Sequence, residues 1–193
     1  MIEKLRAYLE RHITVDDVFW SELVKTAEQI IVKKKEVLIP LNSNFNHLYI
    51  VTSGSFETAL ITSDGESKTV WFHMEDLFEV VVSMDSFFLD ERTKYEISAL
   101  ENSVVYKIKK EAIDSWLLKY ASFNTFYRED VVSAFIKLNE IRNHMVSHTP
   151  PEFLTYLKQY YPKIFERIPE NRIAQFIGIT PEWYSKLKSK MLS

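Results

Sequence analysis

Apolar positions along the chain change texture twice. At residues 2–11 and about 16–30 they recur at helical spacing (Leu5, Leu9; Val18, Phe19, Leu23, Ala27), and the stretch from Thr14 to Asp17 supplies a break and an N-cap. From about 36 to 109 short runs rich in β-branched and aromatic residues take over, at 37–39, 48–52, 56–62, 67–73, 95–100 and 103–108, and these predict strands. Asp64-Gly65 predicts a tight hairpin with positive φ at both turn positions, and Ser53-Gly54 marks a further bend. Strands this closely spaced, with no helices between them, favour an antiparallel sandwich or jelly-roll barrel over a parallel sheet.

After Lys109 the period is helical again. A helix through Trp116 and Leu117 leads into a long one from about Ser122 to Val146. Tyr127, Val131, Ala134, Leu138, Ile141 and Met145 are separated by 4, 3, 4, 3 and 4 residues, a seam about 27 Å long. Such a stripe lies either against the chain's own barrel or against a parallel copy of itself, and a homodimer is the expected arrangement. His148-Thr149-Pro150-Pro151 then interrupts the helix, because proline removes a donor and restricts the residue before it. Pro151-Glu152 opens the next helix, through Phe153, Leu154, Leu157 and Tyr160, and Pro162 ends it. The expected organisation is a β-roll with N-terminal helices at 1–120, a long helix and hinge at 121–148, and a helical domain at 149–193.

Composition narrows the chemistry. Of 193 residues, 46% are hydrophobic, enough for a sizeable core, and the chain has no cysteine, which excludes disulfides, thiolate metal sites and cysteine nucleophiles. Three glycines are too few for a P-loop or a dinucleotide-binding loop. The apolar runs fall far short of the roughly 20 residues that span a membrane. The first ten residues mix charges of both signs without an apolar core, so neither a membrane nor a secretory signal is expected and the cytoplasm is the predicted location. Net charge is −3 overall, yet residues 149–193 hold seven lysines and arginines against four glutamates, a net of +3, leaving residues 1–148 with 17 basic against 23 acidic groups. That asymmetry predicts two modules with different partners.

The basic tail carries the clearest constellation. Ile173, Ala174 and Ile177 form the apolar side of a short helix, and Gly178 suits the left-handed residue that a sharp turn requires. Thr180 is placed to cap a second helix, with Pro181 at its first position and Glu182 at the positive end of its dipole. In a helix-turn-helix the second helix enters the major groove, early side chains facing base edges and later ones meeting phosphates. Trp183, Ser185 and Lys186 are the early candidates here, while Arg172, Lys188 and Lys190 would position the backbone.

The order of parts, with the pattern P-x-x-x-I-A-x-x-[IL]-G-I-T-P-E-x-x-S-[KR] from Pro169 to Lys186, resembles the Crp/Fnr (catabolite-activator) family of transcription regulators. The resemblance implies an α+β fold: an N-terminal antiparallel β-roll (a double-stranded β-helix or jelly-roll) with flanking helices, a long dimerisation helix and a C-terminal helix-turn-helix domain. It implies double-stranded DNA as partner, a homodimer, and a small effector or RNA polymerase as further partners. Regulation would change the angle between two recognition helices about 34 Å apart. No strand pattern follows the last helix before Ser193, so the wing is expected to be absent or tiny.

The family's phosphate cassette falls, by the same resemblance, on Glu75-Asp76-Leu77-Phe78-Glu79 and on Thr93-Lys94-Tyr95-Glu96, with Asn139 near where the ligand base is met. Cyclic AMP is the effector the family implies, but Thr93 stands where the phosphate arginine is expected and Arg92 is one residue off. At an effective dielectric near ~20, each like charge at about 4 Å costs an anionic ligand about 4 kcal/mol, and Glu75, Asp76 and Glu79 supply three. Lys94 or Arg92 offsets one of them. Among the other signals, His47 and His73 lack the spacing of a metal cupin, and the acidic pairs lack a nucleophile or orienting base, so neither a metal nor an enzyme is expected. The alternative function is a ligand-sensing or protein-interaction module of the same fold that has lost tight DNA binding. The side chains separating the two are Trp183 and Tyr184, which face either the groove or the domain core.

Overall fold

The computed structural model describes residues 2–75 and 77–192. Its elements, in chain order, are α1 (Ile2–Glu10), α2 (Asp17–Thr26), β1 (Glu28–Val32), β2 (Val37–Ile39), β3 (His47–Ser53), β4 (Ser55–Ile61), β5 (Ser67–Met74), β6 (Val80–Val81), α3 (Met84–Leu89), β7 (Glu96–Ala99), β8 (Ser103–Lys109), α4 (Lys110–Lys119), α5 (Ala121–Ser147), α6 (Pro150–Tyr160), α7 (Pro162–Arg167), α8 (Glu170–Phe176) and α9 (Pro181–Leu192). Two four-stranded sheets, ordered β1-β8-β3-β6 and β2-β7-β4-β5, form the antiparallel roll that the strand spacing predicted. The fold class is α+β.

Contacts divide the chain into two compact units. One holds the chain up to Thr58 together with Phe72–Ala134; the other holds Ala59–Trp71 with the chain from Phe135 onward. In the first, Leu48 pairs with Ile108 and Ile50 with Tyr106 across β3 and β8. Alternation sends these four side chains to one face, where they pack with Leu5 and Leu9 of α1, Phe19 and Leu23 of α2, Trp116 of α4 and Phe123 and Phe126 of α5. Their neighbours Tyr49, Val51 and Val105 point the other way, into a second cluster with Ile39, Phe56, Val81 and Ile97. A central pair buried on both faces explains why these strands read as nearly continuous apolar runs rather than strict alternations.

Two local expectations are corrected and a third is extended. The second opening helix stops at Thr26, capped at its start by Asp16, whose carboxylate accepts from the Phe19 amide at 2.7 Å. Residues 28–32 are instead a strand paired with β8, so the helical spacing overran the helix, and Val18, inside α2, stays 67% exposed. The Asp64-Gly65 turn has positive φ only at Gly65 (83°), with the Gly65 amide donating to Thr62 O and the Thr62 amide to Glu66 O. This is a longer hairpin loop with one left-handed residue, which needs glycine at one position rather than two. Pro162 ends α6 and also starts the short α7, where its fixed φ suits a first helical turn.

The six-residue seam on α5 is also redistributed. Tyr127 packs against the helix-side cluster and Ile141 is only 3% exposed, both covered by their own chain. Val131 and Leu138 remain open to solvent, joined by Val132, Phe135 and Ile136, which the heptad count omitted. Ala134 and Met145 are half-buried.

Candidate nucleic-acid interface

The second unit builds its C-terminal pair of helices locally. Phe153, Leu154 and Leu157 of α6, Ile164 of α7, and Ile173, Ala174 and Phe176 of α8 are buried. The α8 helix closes when the Gly178 amide donates to Gln175 O at 3.1 Å and the Ile179 amide to Ala174 O at 3.0 Å. This paired closure places Gly178 at a φ of 77°, a conformation costly for any residue with a Cβ. Helix α9 then starts where Thr180 Oγ1 accepts from the Trp183 amide at 3.2 Å. Its orientation is fixed by Tyr184, 3% exposed, whose phenol is pushed up to about 12, first by burial and then by Glu170.

With Tyr184 turned inward, helical geometry turns other residues outward. Trp183, Lys186 and Lys190 follow one another at i, i+3 and i+7, and all three are exposed, as is Ser185. Glu182 belongs to the same exposed side, and its carboxyl is held below the usual range by its own backbone amide, the Thr180 hydroxyl and Lys186. The stripe therefore offers a base-edge donor in Lys186, an acceptor in Glu182 suited to cytosine N4, and an apolar surface in Trp183.

Two expected phosphate contacts are engaged within the chain. The Lys188 ammonium pairs with Glu170 of α8. Arg172 donates to Gln175 Oε1 at 3.0 Å, and the same oxygen accepts from Thr69 Oγ1 at 3.0 Å while Gln175 Nε2 donates to Ser67 O. Trp71 meets Phe176 edge to face at 5.9 Å. Glu170 and Gln175 are the residues sequence reasoning missed here. Glu182 was read only for the helix dipole, although it also stands four residues before Lys186 on one helical face.

Most of the residues named for an effector are already bonded within the chain. Asp76 lies outside the described residues. Glu75 and Glu79 line a cavity of about 380 Å³ with Lys4, Tyr8, Arg11 and Thr52, where Arg11 pairs with Glu79 at 2.9 Å and Lys4 Nζ donates to Thr52 O at 3.1 Å. Leu77 exchanges backbone hydrogen bonds with Met74. Arg92 donates to Asn42 O at 2.8 Å, and Thr93, 2% exposed, donates to Pro40 O at 2.5 Å. Lys94 reaches Asp85 at 2.9 Å and Glu91 at 2.7 Å, and those two carboxylates raise its pKa. Asn139, on α5, accepts from Arg142 at 2.6 Å. The two sequence-spotted strand histidines have ordinary roles: His47 opens β3, and His73 sits between Thr58 Oγ1 at 3.0 Å and Phe78 O at 3.3 Å. Burial lowers His73 to about 4, so it is neutral at pH 7.

Comparison with known proteins agrees with this architecture. Residues 29–120 match the cyclic nucleotide-binding domain family. Among solved structures the fold is similar to FixK2 from Bradyrhizobium japonicum, with a TM-score of 0.68 at 14% identity over 86% of this chain and 84% of that one. The global regulator CLP from Xanthomonas campestris, described as responsive to c-di-GMP, gives a TM-score of 0.69 at 12% identity over 92% of both chains. A regulator of the crp/fnr family from Eubacterium rectale gives 0.67 at 14% identity over 92% of this chain and 84% of that one. No curated protein matches by sequence. Among the described residues no helix is long and apolar enough to cross a membrane. A cyclic nucleotide, the ligand the domain family implies, presents a phosphodiester anion; the basic and hydroxyl groups at the cassette positions are already bonded to carbonyls and carboxylates, and they do not fit it.

Proposed function

We propose that this chain, a cyclic nucleotide-binding domain joined to helices in the fold of the Crp/Fnr transcription regulators, is itself a sequence-specific regulator that binds double-stranded DNA through α9. The observation that carries the reading is the outward stripe of Trp183, Lys186 and Lys190 on a helix anchored from behind by Tyr184. It works as a cytoplasmic homodimer joined along α5, where Val131, Val132, Phe135, Ile136 and Leu138 leave an apolar strip that water would otherwise cover. Two recognition helices related by a two-fold axis then read half-sites one helical turn, about 34 Å, apart. The β-roll is the control module, and a small effector or RNA polymerase is the partner through which control passes.

A second reading, a protein-interaction module without tight DNA binding, is favoured by the internal pairing of Lys188 with Glu170 and of Arg172 with Gln175. Selection from a pool of random duplexes separates the two. A regulator enriches a two-fold symmetric site, and its affinity falls steeply with salt as lysines displace counterions. Recovery of unselected sequence with a flat salt response favours the interaction module.

A further inference from the structure

The turn between β2 and β3 meets the start of β7 in an unusually complete set of bonds. The Asn42 amide donates to Thr93 O at 2.8 Å and the Thr93 amide to Ser43 O at 2.9 Å. The Ser43 amide donates to Thr93 Oγ1 at 2.9 Å, and that hydroxyl donates onward to Pro40 O at 2.5 Å. Arg92 closes the set from outside by donating to Asn42 O. Asn42 holds a φ of 58°, a conformation asparagine tolerates better than most residues and which turns its carbonyl toward the guanidinium. Each donor and acceptor on Thr93 is thereby used.

We infer that in this chain the Pro40–Ser43 turn takes the place of an anionic ligand at the cassette, so that the β-roll is complete without a cyclic nucleotide. An arginine and a small hydroxyl residue are the groups that would grip a phosphodiester, and here both grip main-chain carbonyl oxygens, partially negative groups supplied by the protein itself. The second nearby cation, Lys94, is neutralised by Asp85 and Glu91. The space between the sheets is occupied by Tyr49 and Phe56, at 3% and 0% exposure, with Phe45 packed against them. A nucleotide entering would have to break the turn, displace aromatic rings and accept eight acidic residues between positions 75 and 101 against two basic ones.

The test uses the full chain and does not involve DNA, so it stands or falls apart from the DNA-binding reading. Melting temperature and backbone hydrogen exchange are followed with cyclic AMP, cyclic GMP and cyclic di-GMP, each at millimolar concentration. The expected result is no saturable melting shift with any of the three, and amides of Asn42 and Ser43 that are protected without nucleotide. Thr93→Val removes the hydroxyl and is expected to speed exchange at Ser43 by roughly tenfold or more, with Thr93→Ser restoring protection. Arg92→Ala, at an exposed position, tests the outer bond in a variant expected to stay folded, and is expected to speed exchange at Asn42. The inference is overturned by a saturable rise in melting temperature with any of these nucleotides. It is equally overturned if the Asn42 and Ser43 amides exchange freely in the wild-type chain and gain protection only when nucleotide is added.

Discussion

Trp183 and Tyr184 are adjacent in the chain and divided by the fold: the tryptophan is 44% exposed and the tyrosine 3%. One helical step of 100° separates a side chain that anchors α9 from one that belongs to its outer surface. The pair thus fixes which way the lysines of α9 face, with Lys186 and Lys190 on the outer side and Lys188 on the side facing Glu170.

That assignment ranks the lysines. Lys186→Ala is expected to relax sequence preference at one base pair, a discrimination of about 1–3 kcal/mol, and Lys190→Ala to weaken all sequences alike while lowering the salt slope by about 0.9. Measured affinities for the selected site and for point variants of it, at several salt concentrations, distinguish the two. Equal loss of preference in both variants would refute the ranking.

Glu170→Gln releases Lys188 from its partner on α8. Because both side chains are about half exposed, the pair contributes at most about 1 kcal/mol to stability. DNA affinity is expected to rise by up to about fivefold and the salt slope to steepen, since a freed ammonium adds one phosphate contact. An unchanged affinity with Lys188→Ala also silent would place that lysine outside the interface.

The strip on α5 makes association testable. Phe135, 69% exposed, is expected to be covered on dimerisation, and Phe135→Lys to forfeit about 1.5–3 kcal/mol of apolar burial while introducing a charge. Light scattering should report a dimer for the wild type and a monomer for the variant, with an unshifted melting temperature for the isolated fold in dilute solution. A monomeric wild type at micromolar concentration contradicts the proposed dimer.

His73 supplies a pH dependence with a definite sign. Its folded value near 4 lies below the unfolded value near 6.5, so between those limits the unfolded chain binds the extra proton and stability falls as pH drops. The loss reaches at most about 3 kcal/mol by pH 4 and is absent above about pH 7. His73→Gln, which keeps a partner for Thr58, is expected to flatten this part of the profile in urea melts. A wild-type curve flat from pH 7 to 4 would show that the imidazole takes up its proton in the folded state.

At the C-terminal helices the local code was strong. Thr180, Pro181 and Gly178 each act within one turn of themselves, and the cap, the first helical turn and the left-handed closure all appear where those residues stand. The strands at 37–74 and 96–109 were legible for a similar reason, because β-branched clusters and turn residues punctuate them, but the short helix α3 (Met84–Leu89) lies between them where no helix was expected. The strand at 28–32 was not: Leu23 and Ala27 continue a helical rhythm into it, and only pairing with β8 resolves the ambiguity. Likewise the heptad count on α5 found a stripe but could not say that Ile141 is spent on its own chain while Phe135 is left outside.

By itself, then, the order of apolar positions determined an antiparallel roll, a long helix and a capped helix-turn-helix, since each of these is written in residues a few places apart. The tertiary structure alone decided what became of the charged and hydroxyl groups. Lys188 meets Glu170 across 18 positions, and Thr93 meets Pro40 across 53. The reason is physical: periodicity reports which side of an element is dry, whereas the partner of a hydrogen bond or an ion pair depends on which distant segment the folded chain brings within 3 Å.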